Sequence, residues 1–579
     1  MTKKNRPSLL LTLGAAGLLI GGGAATYWVL TQRNELLVGD MPIGANIIPQ
    51  DALLTLSVST DQSQWQQLRQ FGTPQTQAEL DKNLVQLRDR LLTSNGYNYQ
   101  QDIQPWVGKE VTIAVLSTPT PTQNSPTPSV SNKQQSVVLV LPIDNSARAK
   151  QLLEEPKPLK QGKWIASTYK GVQIRETQGL SSENYSATVL DGRFLVVTNN
   201  LQATERAIDT YKDGVSIATT PGYTEAIRKI KASAPFAQLY VNVPAAARVA
   251  ATNSARPISP QALAQLQQNQ GLATTMTLEP EGVRFKSISW LKPNSDQKYV
   301  VENKADKMQS RLPAQTLMML SGGNLQRLWQ DYVQGAQSNP LTPIPPESLR
   351  SGVQSLTGLN LEQDLLDWMG GEFSLSLVPS FPKGGSPKNF ALSLVLMIQT
   401  SDRSRAEKSF QQLDQVISRQ YQFLVQKVKV SGQEVVNWIG PYGTLTATHG
   451  WLDGNVAFLT LGAPVADQIV PKPSTMLANT EQFQKTVPSV SPNNGQFFLD
   501  VERTAKTFPL PQLSSVQRTL VEAMSLIGVT TAVSDEHSIR YDIFVSLKKA
   551  GKAGTLSGKR GGFFTNIRAA RPDNKIKAV

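Results

Sequence analysis

The sequence contains an internal repeat, and this feature constrains its fold more than any other. A block of 15 residues, Gly96–Glu110, recurs as Gly358–Glu372 with 7 identical positions and an offset of 262 residues. Shorter matches occur before and after this block, in the same order in both halves: Ala52–Ser57 with Thr316–Ser321, Leu190–Gly192 with Leu452–Gly454, and Gln238–Val243 with Gln496–Val501. Self-similarity in a fixed order indicates copies of one structural unit. We therefore predict two homologous units, at residues 41–300 and 301–549.

Each predicted unit combines helices with strands. The apolar residues of one helix in the second unit recur at the spacing of a single helical face: Leu325, Leu328, Trp329, Tyr332 and Val333. The stretches Val111–Leu116 and Phe373–Val378 alternate apolar with small or polar residues, as strands with one buried face do. Asp-Gly pairs at Asp191 and Asp453 predict hairpin turns. The pattern predicts an α+β fold with antiparallel sheets and packed helices in both units.

The repeated block predicts a short capped helix. Asn98 and Asn360 stand at the N-cap positions, and Gln101 and Gln363 follow three residues later, which is the spacing of a capping box. Each copy then carries a tryptophan, Trp106 or Trp368, on the same side as an apolar residue three positions earlier. These tryptophans could line a ligand pocket, but their helical phase favours a place in the core.

Two acids are retained in both copies of the block: Asp102 with Glu110, and Asp364 with Glu372. A pair of carboxylates about 5–10 Å apart in a cleft could serve a glycosidase. These acids lie on and just after a capped helix, so we expect them to face solvent or to hold the cap.

Composition excludes several kinds of chemistry. The chain has no cysteine and two histidines, so disulfides, thiolate metal sites, a cysteine nucleophile and a histidine-rich metal centre are excluded. Nucleophile-elbow, phosphate-loop and dinucleotide-turn motifs are missing from the sequence. We predict no catalytic residues, no cofactor-binding residues and no metal ligands.

The two histidines have simpler explanations than catalysis. His449 lies between Thr446 and Asp453, which offers a hydroxyl, an imidazole and a carboxylate in one stretch. The matching stretch of the first unit, Tyr185–Asp191, has no histidine, and a hairpin strand explains both sequences. His537 is expected to lie in a hairpin turn.

The N-terminus predicts a membrane anchor. Ser8–Leu30 contains 23 residues without a charge, and as a helix it would extend about 34 Å, enough to cross a hydrocarbon core of roughly 30 Å. Lys3, Lys4 and Arg6 precede it, which predicts a cytoplasmic N-terminus at residues 1–7 and a periplasmic or lumenal ectodomain. The alternative is a cleaved signal peptide, whose apolar core is usually shorter.

The basic charge of the chain is confined to its ends. Of the net charge of +13, residues 1–33 contribute +4 and residues 548–579 contribute +8. The body is therefore nearly neutral, and nucleic acid is not an expected partner. We predict that residues 550–579 form a flexible basic tail that could contact an anionic lipid surface or an acidic protein.

The repeated block also carries a family resemblance. The pattern Gly-x-Asn-x-x-Gln-Asp-x-x-x-Trp-x-Gly-x-Glu, together with the N-terminal anchor and the stretch Pro49–Ala52, resembles the domain-of-unknown-function 3352 (DUF3352) family, common in cyanobacteria. The resemblance covers most of residues 41–549. It implies a membrane-anchored extracytoplasmic protein and brings no catalytic residues. We predict that the membrane is the plasma or the thylakoid membrane.

Three functional hypotheses follow. The first is a non-enzymatic scaffold or assembly and maintenance factor, a single-pass membrane protein with an unidentified protein partner. The second is a carrier of a lipid or other apolar ligand between the two units. The third is a hydrolase that depends on His449.

Overall fold

The described part of the chain begins after the predicted anchor. The computed structural model describes residues 41–92, 96–116, 135–154, 162–179, 184–253, 260–301, 304–338, 344–380, 391–441, 444–487, 493–507 and 515–551. The predicted membrane segment at residues 8–30 and all of the predicted basic tail except its first two residues lie outside these ranges. Within them, no helix has the length and apolar composition needed to span a membrane.

Twenty strands are found in the described residues, and they form one antiparallel sheet. The first ten are β1 (Leu54–Ser59), β2 (Glu110–Leu116), β3 (Ser136–Pro142), β4 (Lys163–Tyr169), β5 (Val172–Gln178), β6 (Ser186–Leu190), β7 (Phe194–Thr198), β8 (Ala237–Asn242), β9 (Asn269–Glu279) and β10 (Gly282–Leu291). The second ten are β11 (Met318–Gly322), β12 (Phe373–Ser380), β13 (Ala391–Gln399), β14 (Leu424–Val430), β15 (Gln433–Ile439), β16 (Leu445–Leu452), β17 (Val456–Gly462), β18 (Gly495–Asp500), β19 (Met524–Asp535) and β20 (Ser538–Leu547).

Helices lie between these strands. Those of residues 41–301 are α1 (Gln62–Leu68), α2 (Pro74–Leu91), α3 (Ser146–Glu154), α4 (Leu201–Asp213), α5 (Tyr223–Lys229), α6 (Val243–Asn253) and α7 (Pro260–Leu266). Those of residues 304–551 are α8 (Leu325–Ser338), α9 (Pro346–Thr357), α10 (Arg403–Tyr421), α11 (Ala466–Ile469), α12 (Glu481–Thr486), α13 (Val501–Thr507) and α14 (Ser515–Ala523). The repeated block forms a π-helical turn in both places, at Tyr99–Ile103 and Leu361–Leu365.

The strand order of the first half is matched by that of the second. Strands β4-β5-β6-β7-β3-β2-β1-β8-β9-β10 are neighbours in that order. The order β14-β15-β16-β17-β13-β12-β11-β18-β19-β20 has the same connectivity. The predicted mixture of helices and antiparallel strands is confirmed. The sequence did not predict that the two sets of strands are joined: β10 pairs with β20 from Gly282–Ser546 to Trp290–Ser538, and both sets belong to one sheet.

Apolar clusters cover both faces of the sheet, since side chains alternate along each strand. On one face, Ala114 and Val140 belong to the core of the first half, while Met319 and Phe498 belong to that of the second. On the opposite face, smaller clusters hold the two repeated blocks through Trp106 and Trp368. The two repeated blocks therefore pack on the face of the sheet opposite to the larger cores.

Ion pairs reinforce the junction between β10 and β20. Lys229 at the end of α5 binds Asp535 at 2.7 Å, and Lys485 in α12 binds Glu281 at 3.0 Å. Arg284 of β10 binds Asp542 of β20 at 2.6 Å. Each half thus contacts the β-hairpin turn of the other half. Partly exposed ion pairs of this kind add only modestly to stability, so the hydrogen bonds between β10 and β20 make the main connection.

A glycine on β10 allows the two strands to approach closely. A Cβ atom at Gly282 would overlap the backbone carbonyl oxygen of Val545 in β20. We expect Gly282→Ala to lower the free energy of unfolding by about 1–3 kcal/mol, because backbone atoms must move apart. The measurement is urea denaturation followed by circular dichroism.

The matched control is Gly352→Ala. Gly352 lies within α9, and a Cβ atom there would have no neighbour within 4 Å. This variant should be stabilised by roughly 0.5–1 kcal/mol, because alanine favours helix more than glycine. Equal effects of the two substitutions would contradict the close approach at β20.

Candidate functional site

His449 lies in a buried aromatic cluster of the second half. Its Nε2 atom is 2.9 Å from Asp414 Oδ1, and its ring stacks on Phe410 at a centroid distance of 4.5 Å and an interplanar angle of 9°. Trp438 packs edge-on against the imidazole and donates from Nε1 to the same Asp414 oxygen at 2.6 Å. The residue is 5 % exposed, so the imidazole serves as a packed, hydrogen-bonded group.

The hydroxyl, imidazole and carboxylate set that the sequence suggested is not assembled. Asp453 is instead paired with Arg311, and its side chain is 83 % exposed. Thr446 donates to the carbonyl of Thr444, and Thr448 donates to Asn437 Oδ1 at 2.8 Å. Asp453 is therefore not the carboxylate that contacts His449, which is Asp414.

His537 lies in the turn between β19 and β20, as expected. Its backbone N–H donates to Asp535 Oδ1 at 2.9 Å, and its carbonyl accepts from Leu291 N at 2.9 Å. Both contacts are made by the backbone, so this residue shapes the turn that adjoins the end of β10.

Asp102 and Asp364 hold the caps of the two π-helical turns. The N–H of Asn98 donates to Asp102 Oδ2 at 2.6 Å, and Asn98 Oδ1 accepts from Gln101 N at 3.2 Å. In the second block the N–H of Asn360 donates to Asp364 Oδ2 at 2.7 Å, and Asn360 Oδ1 accepts from Gln363 N at 2.9 Å. Reciprocal capping satisfies backbone donors that a helix leaves free at its start, which gives these carboxylates a structural task.

Glu110 and Glu372 are directed into the protein, and sequence reasoning missed this. Glu110 accepts from Ile43 N at 3.1 Å, and Glu372 accepts from Lys307 N at 2.7 Å and Met308 N at 3.0 Å. Each glutamate therefore fixes the segment that enters the first strand of its half. Their donors lie more than 60 residues away in the chain, so local sequence carries no sign of the contact.

Burial makes the charged form of both glutamates unfavourable. It raises the pKa of Glu110 to about 7, against the opposing effects of the Ile43 N–H and the Ser57 hydroxyl. Burial likewise raises the pKa of Glu372, although two backbone N–H groups favour its charged form. Near neutral pH the carboxyl of Glu110 is therefore partly protonated.

A row of polar side chains crosses the sheet on the face that carries the larger cores. Its members, aligned by strand register, are Thr112, Ser57, Gln238, Thr275, Lys286, Asp542, Thr530, Gln496, Ser321 and Ser374. Each half contributes the same kinds of side chain, and the two parts meet at Lys286 and Asp542. Core residues such as Ala114 and Tyr240 follow two positions along the strands, so the row borders the apolar core.

The opposite face of the second half carries an apolar surface that is only partly covered. It consists of two parallel rows of side chains, and each row takes one residue from each of β17, β13, β12, β11 and β18. The first row is Leu459, Leu396, Leu375, Leu320 and Phe497. The second row is Leu461, Leu394, Leu377, Met318 and Leu499. We call this surface the leucine face. All ten side chains keep some exposure, and Leu320 and Leu461 are 38 % and 40 % exposed.

A surface cavity of about 440 Å³ lies in the first half, between α3 and strands β5, β6 and β7. Apolar residues form much of its wall: Ile143, Ala149, Ala187, Val189 and Leu195. Lys150 and Arg175 also line it. A cavity of this size with a few polar groups has the dimensions of a small-molecule site.

These features belong to a mixed helix and antiparallel-sheet protein whose described residues include no cluster of three side chains able to hold a metal ion. The family model described as "Protein of unknown function (DUF3352)" matches residues 12–547. The chain therefore belongs to this family.

Other comparisons add little. None of the curated proteins compared with the chain matches it significantly. Crystal form III of TP0453 aligns with a TM-score of 0.24 at 9 % identity, over 43 % of this chain and 80 % of that one. Crystal form I of the same protein gives a TM-score of 0.25 at 8 % identity, over 44 % and 80 %. Scores this low do not indicate a shared fold.

Proposed function

We propose that this protein is a non-enzymatic scaffold, held at a plasma or thylakoid membrane by residues 8–30, that docks a protein partner on the leucine face. In this proposal residues 41–300 and 301–549 are homologous units on the periplasmic or lumenal side. The matching strand order of the two halves and the repeated capping contacts support the homology.

The leucine face carries the proposal. Contiguous exposed apolar surface is uncommon on soluble proteins and marks interaction sites. Of its ten side chains, only Leu396 belongs to a hydrophobic cluster formed by the described residues. The face crosses five strands, or roughly 19 Å at the usual strand spacing, which suits the apolar side of an amphipathic helix.

A photocrosslinking amino acid placed at Leu320 tests the proposal in cells that express the full chain. Irradiation should give a discrete adduct with a protein, because Leu320 lies within the face, between Leu375 and Phe497, and is 38 % exposed. The matched control is the same amino acid at Lys427 of β14, whose side chain is 74 % exposed and remote in strand order. It should give no such adduct.

Charge provides the second arm of this test. With the crosslinker at Leu461, the added substitution Leu320→Asp should abolish the adduct, because an apolar partner surface disfavours a buried carboxylate. Circular dichroism establishes that the variant is folded. An absent adduct at Leu320, or the same adduct at Lys427, would contradict the scaffold proposal.

Carriage of an apolar ligand is the second candidate. The observation in its favour is the cavity beside α3. The same crosslinker at Val189, which lines this cavity, should give a lipid adduct if carriage is correct, whereas its absence would contradict carriage.

A further inference from the structure

The junction between β10 and β20 places two arginines at equivalent positions on the face of the polar row. Arg284 of β10 pairs with Phe544 of β20, and Arg540 of β20 pairs with Ile288 of β10. The two strands are antiparallel and close the strand order of their halves in the same way, so an approximate two-fold axis relates the two arginines. Equivalent positions of this kind are expected to have equivalent partners.

Arg284 is held by two carboxylates and an aromatic ring. Its Nε atom donates to Glu279 Oε1, and its Nη1 atom donates to Asp542 Oδ1 at 2.6 Å. Its guanidinium carbon lies 4.8 Å from the ring centroid of Phe544. The framework of the junction thus surrounds this guanidinium with two negative charges.

Arg540 has a lysine where Arg284 has an acid. Asp542 and Lys286 face each other across the junction, so Lys286 stands at the position equivalent to Asp542. Ile288, which pairs with Arg540, has no aromatic ring to cover the guanidinium. Two of the three partners of Arg284 are therefore replaced.

The third partner is replaced by an acid that is already engaged. Asp535 ends β19 as Glu279 ends β9, but it binds Lys229 at 2.7 Å and accepts from the Ser538 hydroxyl at 2.7 Å. Among the described residues, no carboxylate forms an ion pair with Arg540, and its buried Nε atom has no hydrogen-bond partner. A buried donor without an acceptor is uncommon in folded proteins.

Two further donors lie next to Arg540. Lys286 is exposed, and in the part of the chain that the structure describes it forms no ion pair. Thr530 of β19 lies two positions from Ala532, the residue that pairs with Arg540. It is 6 % exposed, and its Oγ1 atom has no hydrogen-bond partner. An ammonium, a guanidinium and a buried hydroxyl thus meet on one side of the sheet.

The charges at the junction are not balanced. Asp542 and Glu279 are both bound to Arg284, which leaves Lys286 and Arg540 as neighbouring cations without a carboxylate. Like charges on adjacent strands disfavour the folded sheet. This pair of cations is therefore stabilised by an anion supplied from outside the chain.

We propose that Arg540 and Lys286 bind a phosphate group, with the hydroxyl of Thr530 as a further donor. Two carboxylates occupy the equivalent site at Arg284, and a phosphate monoester brings a comparable charge of about −1.5 to −2 near pH 7. Its oxygens also match the planar fork of a guanidinium. The site lies on the face opposite to the leucine face, so its occupancy does not depend on a docked partner.

Equilibrium dialysis with radiolabelled inorganic phosphate tests the site in the full chain, purified in a non-ionic detergent. Binding should include one saturable site per chain when chloride holds the ionic strength constant. Unlabelled phosphate should displace the label, whereas additional chloride should not. Absence of a saturable site would overturn the proposal.

Three substitutions and a control locate the bound phosphate. Arg540→Gln should weaken binding about tenfold or more, because a hydrogen bond to a charged group is lost, and Lys286→Gln should weaken it severalfold. Arg540→Lys keeps the charge without the planar fork and should fall between the parent protein and Arg540→Gln. The matched control is Lys427→Gln on β14, which removes an exposed positive charge remote from the junction and should bind like the parent protein.

Two phosphate monoesters distinguish the source of the phosphate. Short-chain phosphatidic acid and glycerol phosphate carry the same charged group with and without acyl chains. Stronger displacement of the label by phosphatidic acid assigns the site to a lipid head group, and equal or weaker displacement assigns it to a soluble phosphate. Displacement by neither would contradict the proposal, as would equal weakening by Lys427→Gln and Arg540→Gln. If Arg540→Gln does not fold, the result with Lys286→Gln decides.

Discussion

Replacing Trp106 by alanine is expected to lower the free energy of unfolding by about 3–5 kcal/mol. Trp106 is 2 % exposed and packs with Tyr99, Ile103 and Leu141 beneath the first repeated block. Its Nε1 donates to the carbonyl of Asp102 at 2.7 Å, so the substitution creates a cavity and also removes a hydrogen bond from the π-helical turn. Urea denaturation of the full chain measures the loss.

Trp106→Phe is the matched control. It keeps much of the apolar volume and removes the indole N–H, so a smaller loss is expected. Trp368→Ala should behave like Trp106→Ala, because Trp368 is 3 % exposed and donates to Ser409 Oγ at 3.1 Å. A loss below about 1 kcal/mol for either tryptophan would contradict a core role.

Glu110→Gln is expected to stabilise the protein above pH 7, by up to about 3 kcal/mol. The pKa of Glu110 rises from 4.5 in the unfolded chain to about 7 in the folded protein, mainly through burial. Glutamine can still accept the N–H of Ile43, and it carries no charge to bury. Thermal and urea unfolding between pH 4 and pH 8.5 test this expectation.

The sign follows from proton binding. Between pH 4.5 and pH 7 the folded protein holds a proton on Glu110 that the unfolded chain releases, so stability falls as pH rises through this interval. The contribution of the protonated carboxyl is complete below pH 4.5 and lost above pH 7. The amide introduced by Glu110→Gln does not titrate in this range, and the two stability curves should therefore diverge with increasing pH.

Glu536→Gln supplies the control for Glu110. Glu536 is an exposed carboxylate, and hydrogen bonding to Lys298 lowers its pKa. Its replacement should give no gain at pH 8. The decisive quantity is the difference in free energy of unfolding between Glu110→Gln and the parent protein. If this difference is the same at pH 5 and at pH 8, Glu110 does not have the raised pKa on which the prediction depends.

Local contacts were predictable from the sequence. The N-cap roles of Asn98 and Asn360 are confirmed by their hydrogen bonds to Gln101 N and Gln363 N. The core position of both tryptophans is confirmed by their burial. These features depend on residues within one helical turn, where spacing determines geometry.

Contacts between distant segments were not predictable in the same way. His449 was compared with its neighbour Asp453, whereas the carboxylate that binds it is Asp414, 35 residues away on α10. A signal did exist, because Asp414 stands between the apolar residues Phe410, Leu413 and Ile417 of that helix. An isolated acid on an apolar helical face needs a partner inside the protein.

The glutamates, the polar row and the cavity share another difficulty. The backbone donors to Glu110 and the alignment of Thr112 with Ser57 depend on strand register, and register between distant strands is set by the assembled sheet. The cavity is lined by residues of α3, β5, β6 and β7, which are separated in the sequence and come together only in the folded sheet. These features became visible only when the strands were paired.

The pairing of β10 with β20 also protects the chain against association through its strand edges. Both strands span ten residues and carry apolar side chains such as Phe285 and Ile543, and long apolar edges recruit strands from other molecules. Joined together, they leave β4 and β14 as the ends of the described sheet. These strands have seven residues each and carry exposed lysines, including Lys163 and Lys427, which discourage the addition of a further strand. The junction between the halves thus removes two long apolar strand edges at which other molecules could add a strand.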